Sequence, residues 1–241
     1  MTEQLHYGIL EEIMPKLNEP LDCIFADFPY GTTQAKWDTL IDLNKFWSEA
    51  KRLLKPRGVV ICTAQVPFNI TLGASNMKWL RYEWIWEKTN ATGHFNAKKM
   101  PMKAHENVMI FYNKLPTYNP QKTTGHKPAN FRTKKVDVQN NTEIYGKATK
   151  EHTSGGYTDR YPRDVLIFPS DKQKEKLHST QKPIALVEYF IKTYTNEGDL
   201  VLDPVAGSGT TGKACDNLNR RCILIEKEME NIVKIQKRLN L

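Results

Sequence analysis

The chain has 241 residues, of which 39% are hydrophobic and 26% are charged, as in ordinary globular proteins. This length suffices for a full core, and the sequence shows neither a long apolar run nor a signal-peptide pattern, so we expect no membrane span or secretion signal. The net charge of +8 favours a polyanionic partner. The four cysteines form no CxxC pair, which predicts reduced, buried thiols in the cytoplasm and no metal site.

Strand and helix patterns alternate along the first 113 residues. Residues 4–17 predict a short strand, a Gly turn and one helical turn. Beyond them, apolar runs predict strands and apolar residues at helical spacing predict helices. The predicted strands are 21–27, 59–64, 80–87 and 107–113, and the predicted helices are 41–54 and 67–77.

Periodicity fails between residues 114 and 177, where Gly, Pro, Thr, Asn and Lys dominate. The segment is too long for an ordinary loop, so it predicts a separate module or a segment that orders on binding. From 114 to 178 the sequence has 13 Lys and Arg against 7 Asp and Glu, a local charge of +6. Most of the basic excess therefore lies in about a quarter of the chain.

Alternation returns after this segment, with predicted helices at 183–194, 210–218 and 228–239 and predicted strands at 199–203 and 221–226. Strand–helix alternation on both sides of one irregular insert predicts an α/β fold with a doubly wound, mostly parallel sheet. We therefore predict one domain from residues 1–113 and 178–241, with 114–177 inserted into it.

The first strong strand ends at Asp27-Phe28-Pro29-Tyr30. Open α/β sheets bind ligands at the carboxyl ends of their strands. Pro29 keeps Phe28 extended, so the Asp27 carboxylate and the Phe28 carbonyl can point the same way. Two acceptors beside an exposed ring suit a planar ligand with an exocyclic NH₂ group. The simpler alternative is a strand end with a proline turn and a surface tyrosine.

A second candidate site follows the predicted strand 199–203. Gly207, Gly209 and Gly212 spell G-x-G-x-x-G between a strand and a helix, and the next strand ends at Glu226, where it could accept from ribose hydroxyls. A nicotinamide cofactor, ATP and an adenosine with a cationic amino-acid group are the alternatives. Ala214 replaces the hydroxyl residue that an ATP loop needs, and Asp203 would repel phosphates. S-adenosylmethionine, an example of the third ligand, fits best.

Both sites, with His178-Ser179-Thr180-Gln181-Lys182-Pro183 before the second, resemble the amino-group DNA methyltransferases of the β arrangement. In that family D-P-P-Y precedes a target-recognition region, and D-P-F-x-G-S-G-T-T comes last, after H-P-T-Q-K-P. The likeness spans nearly the whole chain outside 114–177. The departures are Phe28, Ser179 and Val205. The resemblance implies a seven-stranded Rossmann-like methyltransferase sheet with a circularly permuted motif order.

The resemblance also implies the reaction, transfer of a methyl group from S-adenosylmethionine to the N6 amine of adenine in DNA. The amine is a poor nucleophile because its lone pair is delocalised, so Asp27 and the Phe28 carbonyl would accept its two N–H bonds. Pro29 would shape this turn. The base must leave the duplex, with Tyr30 as its stacking partner.

The same resemblance implies that Asp203 and Glu226 hold the cofactor's ammonium and ribose, while Thr180 and Lys182 shape the pocket for its carboxylate end. We also expect the strands that end at Asp27 and Asp203 to be neighbours at the switch point of the sheet. The remaining predicted cofactor-binding residues are Pro204, Ala206, Gly207, Ser208, Gly209 and Thr210.

The insert is predicted to be the target-recognition region that docks double-stranded DNA. Lys134 and Lys135 are candidates for phosphate contacts. The candidates for reading guanine edges are Arg132, Arg160 and Arg163. The resemblance leaves room for a homodimer and for a restriction endonuclease that acts separately.

Three alternatives stay open. An N4-cytosine methyltransferase usually has Ser where Asp27 stands. Enzymes that methylate protein amides carry the cofactor motif before the catalytic one, unlike this chain. An inactive DNA-binding relative is disfavoured because Asp27, Tyr30, Gly207 and Gly209 are intact.

Overall fold

The computed structural model describes residues 3–32, 38–134, 152–169 and 181–241. The chain divides into two compact units. The first unit comprises Met1–Asn119 and Arg163–Leu241, and the second comprises Pro120–Pro162. Thr180 and Lys135, predicted to bind cofactor and DNA, lie outside the described residues.

The described residues form ten strands and six α-helices, with short 3-10 turns at Met14–Lys16 and His94–Asn96. The strands are β1 (Glu3–Tyr7), β2 (Leu21–Ala26), β3 (Leu54–Ala64), β4 (Leu80–Thr92), β5 (Lys103–Phe111), β6 (Arg132–Lys134), β7 (His152–Ser154), β8 (Val165–Phe168), β9 (Leu200–Asp203) and β10 (Arg221–Glu226). The helices are α1 (Leu10–Ile13), α2 (Leu43–Leu53), α3 (Phe68–Ser75), α4 (Ile184–Tyr194), α5 (Thr210–Asn217) and α6 (Met229–Leu239).

Eight strands of the first unit form one sheet in the order β1-β10-β9-β2-β3-β5-β4-β8. Neighbours are parallel except around β5, which runs antiparallel to both β3 and β4. The predicted doubly wound, mostly parallel sheet is therefore confirmed. Strand β2 pairs with β9, which places Cys23 opposite Val201. This pairing also confirms that the strands leading to Asp27 and Asp203 are neighbours.

The sheet has eight strands where seven were expected. The additional pairing comes from β8, which runs parallel to Ile85–Lys88 of β4. The four residues of β8 fall inside the predicted insert 114–177, so that boundary is wrong at its carboxyl side. A four-residue strand after Pro162, Arg163 and Asp164 is too short for periodicity to reveal. The strands β4 and β5 also extend beyond the predicted 80–87 and 107–113 towards each other.

Both faces of the sheet are covered, which explains why its central strands are apolar throughout. Alternate residues of β2 point to opposite sides: Ile24 and Ala26 enter one core cluster, and Cys23 and Phe25 enter the other. The first cluster contains buried residues of α1, α2 and α3, and the second contains buried residues of α4, α5 and α6. Two-sided burial holds the strand ends firmly where the candidate motifs begin.

The second unit contains the antiparallel pair β6–β7, with Arg132 opposite Ser154. An isolated antiparallel β-bridge between Thr123 and Arg160 joins two further segments of this unit. Lys122 pairs with Asp159 at 2.7 Å and lies 4.4 Å from the centroid of the Tyr161 ring. The described part of this unit is thus held by polar contacts and short strand pairings.

Among the described residues, no helix is long and apolar enough to cross a membrane. All four cysteines are buried, reduced thiols, as predicted.

Candidate active site

A cavity of about 920 Å³ lies in the first unit, at the carboxyl ends of β2 and β9. It brings together the two sequence motifs, since both Asp27–Tyr30 and Asp203–Ser208 line it. Lys182, Thr210 and Glu226 line it as well. Gly209, also predicted to bind cofactor, is absent from the lining and serves the turn behind it.

The predicted catalytic turn, Asp27–Tyr30, is anchored on both sides. Phe28 is 2% exposed and its ring meets the Phe46 ring edge-on, at a centroid distance of 4.8 Å. The Gly31 and Thr32 N–H groups donate to the carboxylate of the buried Asp38, at 2.8 and 2.9 Å. Core burial before Tyr30 and an Asp-capped turn after it hold this segment at the cavity.

The Asp27 carboxylate accepts three hydrogen bonds. The hydroxyls of Tyr30, at 3.1 Å, and of Thr63 donate to Oδ1, and Lys182 Nζ donates to Oδ2 at 2.7 Å. A carboxylate offers about four lone-pair sites. Among the described contacts one site on Oδ2 is left, which suffices for one N–H bond of a ligand amine.

Lys182 lies between two carboxylates. Besides its bond to Asp27, its Nζ is 3.2 Å from Glu106 Oε2, and Glu106 Oε1 is 2.6 Å from Lys88 Nζ. Burial alone would lower the pKa of Lys182, but Asp27, Tyr30 and Glu106 raise it well above its usual range. Lys182 is therefore a fixed cation, and it contacts the predicted catalytic carboxylate. Its role at the carboxylate end of the cofactor stays a prediction.

Tyr30 is half-buried, whereas the sequence predicted an exposed ring. Its ring stacks on Phe68 at a centroid distance of 5.5 Å and an interplanar angle of 25°. Its hydroxyl also lies 3.3 Å from Glu106 Oε2, so its single proton is shared between the Asp27 and Glu106 carboxylates. Burial and the nearby Asp27 charge raise the pKa of Tyr30, so the hydroxyl stays a donor at neutral pH. The ring is thus held rigidly at the cavity wall.

The glycine loop after β9 is organised by two buried carboxylates. Asp203 accepts the Val205 N–H at 3.0 Å and the Thr211 hydroxyl at 2.5 Å. Glu226 accepts the Gly207 N–H at 2.7 Å and the Glu228 N–H at 2.8 Å. Gly207 and Gly209 have φ values of +53° and +75°, a left-handed backbone that side chains disfavour.

Burial raises the pKa of Asp203 to about 7, against the opposing bonds from Thr211 and Val205. A cation placed beside this carboxylate would lower its pKa and stabilise its charged form. The wall formed by Asp203 is therefore suited to a ligand ammonium group.

The predicted DNA-binding residues are divided between the units. Arg132 and Lys134 lie on β6 of the second unit, whereas Arg163 is exposed and belongs to the first unit. The Arg160 guanidinium donates to the carbonyls of Tyr157, Asp159 and Lys127, at 2.8, 2.8 and 2.6 Å. These bonds tie Arg160 to its own unit.

Sequence reasoning missed Thr63, Lys88 and Glu106, which complete the network around Asp27. Thr63 could have been found from the sequence, because it is the polar residue of the apolar run VVICTA. Its strand is the neighbour of β2, with Cys62 opposite Ala26. Glu106 could not have been found in this way, since its position depends on the placement of β5 beside β3 in the sheet.

The fold and the cavity define a doubly wound α/β protein whose ligand site lies at the switch point of the sheet. Comparison with known proteins agrees with this class. The sequence model of the DNA methylase family matches residues 21–237. This chain therefore belongs to the DNA methylase family, which confirms the resemblance read from its motifs.

Individual relatives show the same likeness. The Type II methyltransferase M.HinfI of Haemophilus influenzae is 30% identical over 95% of this chain, which spans 66% of that protein's length, just under two thirds. The Type II methyltransferase M2.LlaDCHI of Lactococcus lactis subsp. cremoris is 28% identical, covering 97% of this chain and 86% of its own length. The crystal structure of the M1.HpyAVI–SAM complex has 25% identity and a TM-score of 0.70 over the full length of both chains.

Proposed function

We propose that this protein transfers a methyl group from S-adenosylmethionine to the N6 amine of adenine in double-stranded DNA. The observation that carries the proposal is the position of Asp27. Its carboxylate is held by Lys182 and Thr63 at the end of β2 and shares one cavity with the glycine loop that follows the adjacent β9.

The cofactor half of the cavity fits S-adenosylmethionine. Asp203 would face its ammonium, and Glu226 would accept from its ribose with lone pairs that the loop N–H groups leave available. The bound cofactor supplies an activated methyl group on a sulfonium. The SAM complex of M1.HpyAVI, which aligns with the whole chain, supports this assignment.

The catalytic half acts by positioning. Asp27 Oδ2 and the Phe28 carbonyl would accept the two N–H bonds of the target amine, which favours a pyramidal nitrogen with its lone pair directed at the methyl group. Lys182 keeps Asp27 oriented, and Tyr30 offers a rigid ring beside a base that has left the duplex.

An N4-cytosine amine is the second candidate substrate, because the same two acceptors could hold it. The carboxylate at position 27 favours adenine, since the cytosine branch usually has serine there. We also propose that residues 114–177, apart from β8, form the target-recognition region. A homodimer and a separate restriction endonuclease stay predictions of the resemblance. Four buried, reduced thiols support the cytoplasmic location that we propose.

The test is methylation of duplex DNA with labelled S-adenosylmethionine in a chelator, followed by nucleoside digestion and mass analysis. We expect N6-methyladenine. Asp27→Ala should abolish transfer while cofactor affinity, measured by titration calorimetry, stays within a few-fold, because Asp27 acts on the amine.

Three outcomes would count against the assignment. N4-methylcytosine as the product would move the substrate to the second candidate. Near-normal turnover of Asp27→Ala would remove Asp27 from the reaction. Full activity of Asp27→Ser on adenine would show that a carboxylate is dispensable at this position.

A further inference from the structure

The hairpin arm, defined as residues 89–104, extends beyond the end of the neighbouring strand β3. Ala64, the last residue of β3, and Ile85 of β4 both pair with Asn107. From Ile85, β4 continues seven residues to Thr92. At about 3.3 Å per residue this is roughly 20 Å beyond the end of β3. Strand β8 accompanies β4 only as far as Lys88.

The inner side of the hairpin arm borders the cavity. Asn90, Thr92, Gly93, Asn96 and Lys103 all line it, as do the Asp27 turn and the glycine loop. The hairpin arm therefore forms part of the wall of the cavity that holds both motifs.

The tip of the hairpin arm presents an unusual side chain to water. Gly93, at φ +91°, turns the chain into the 3-10 turn that carries Phe95. Phe95 has an exposed fraction of 101%, so its ring contacts essentially nothing in the folded protein. Met100 and Met102, 53% and 37% exposed, follow on the same arm. A large apolar side chain held in water beside a catalytic cavity indicates a binding surface.

The charge of the hairpin arm identifies the class of partner. From residue 89 to residue 104 the sequence contains Lys98, Lys99 and Lys103, with His94, and no Asp or Glu. Every one of these side chains is exposed. Lysines around an apolar tip complement a phosphate backbone with stacked bases behind it, and apolar wedges that enter base steps are a known way to unstack a duplex.

We propose that the hairpin arm docks on duplex DNA and that Phe95 enters the base stack where the target base has left it. The lysines would hold the flanking phosphates. This inference rests on the proposed function and deepens it, because it assigns a residue outside the cavity to base extrusion. A wedge that fills the gap would raise the population of the extruded base, whose unstacking costs free energy.

The experiment compares Phe95→Ala, Phe95→Trp and the control Met77→Ala. Met77 is also exposed, but it precedes β4 and so lies at the other end of that strand from the arm. The DNA is a duplex carrying the methylation site mapped in cells that express the protein. Base extrusion is followed by the fluorescence of 2-aminopurine at the target position, and methyl transfer is measured on the normal duplex and on one whose target adenine faces an abasic site.

We expect Phe95→Ala to reduce kcat/KM on the normal duplex about tenfold or more and to suppress the fluorescence rise. On the duplex with the abasic site the target is already unpaired, so the kcat/KM of Phe95→Ala should lie within about threefold of the wild-type value. Phe95→Trp should retain extrusion, and Met77→Ala should match wild type on both duplexes.

The inference is overturned if the Phe95→Ala variant extrudes the base and methylates it as well as wild type does. The exposed tip would then be assigned to contact with a protein partner. An equal loss on both duplexes would also overturn it, because a general docking role predicts that pattern. A wild-type protein that neither extrudes nor methylates duplex DNA would instead refute the proposed function.

Discussion

Replacing Glu106 by Gln tests the charge network behind the predicted catalytic turn. Glu106 is buried between Lys88 Nζ, at 2.6 Å, and Lys182 Nζ, at 3.2 Å. Glutamine preserves the shape and the hydrogen-bonding oxygen but removes the negative charge. The variant thus leaves two buried ammonium groups with Asp27 as the remaining carboxylate of the network.

The magnitude follows from the pKa of Glu106. Burial would raise this pKa, but the ammonium groups of Lys182 and Lys88 outweigh burial and lower it from 4.5 to about 2. At about 1.4 kcal/mol per pH unit, the ionised carboxylate contributes about 3 kcal/mol to the free energy of unfolding at pH 7. Because the folded-state pKa is the lower one, this contribution is complete above pH 4.5 and is lost as the pH falls towards 2.

Urea unfolding at several pH values measures this contribution. We expect Glu106→Gln to be less stable than wild type by about 3 kcal/mol at pH 7 and by about 2 kcal/mol at pH 3.5. Glu230→Gln is the matched control, since Glu230 pairs with Lys234 on the exposed side of α6 and should cost less than about 1 kcal/mol. The stabilising role of the network would be refuted if the free energies of unfolding of wild type and Glu106→Gln differed by less than about 1 kcal/mol at pH 7. It would also be refuted if their difference did not become smaller at acidic pH.

Two further predictions concern the ligands. Glu226→Ala should weaken S-adenosylmethionine binding about tenfold or more, because a charged acceptor of ribose hydroxyls is lost; unchanged calorimetric affinity would contradict this placement. Lys134→Ala should weaken DNA binding on cognate and scrambled duplexes alike and lower the slope of log affinity against log salt by about one. If replacing Lys134, Lys135, Arg132, Arg160 and Arg163 together leaves that slope intact, the predicted insert is not the DNA-reading surface.

The motifs show what local sequence can determine. The apolar run of β2 followed by Asp27 and Pro29, and the glycines between β9 and α5, were both located correctly. Each depends on backbone preferences of consecutive residues: proline fixes φ, and glycine alone readily adopts the φ of +53° at Gly207. The order of these motifs was also enough to indicate the family.

Weak or interrupted periodicity explains the errors in the elements. The sequence places β8 in the insert, because four residues cannot establish a period, and it ends β4 at residue 87 because the Lys, Thr and Asn that follow have no apolar alternation. The sheet supplies the missing information, since β8 is a strand through its pairing with Ile85–Lys88. The pairing of β8 with β4 therefore outweighs the weak strand preference of the four residues of β8.

The residues that hold Asp27 were decided by the tertiary structure. Lys182 reaches Asp27 across 155 positions of sequence, and Glu106 approaches Tyr30 across 76. Contacts at such separations depend on the order of strands in the sheet, which places β3 beside β2 and β5 beside β3. The sequence by itself determined which groups stand at the strand ends, because those are local properties of the backbone. Only the folded sheet decided which of those groups meet, because a contact between distant segments requires the packing of everything between them.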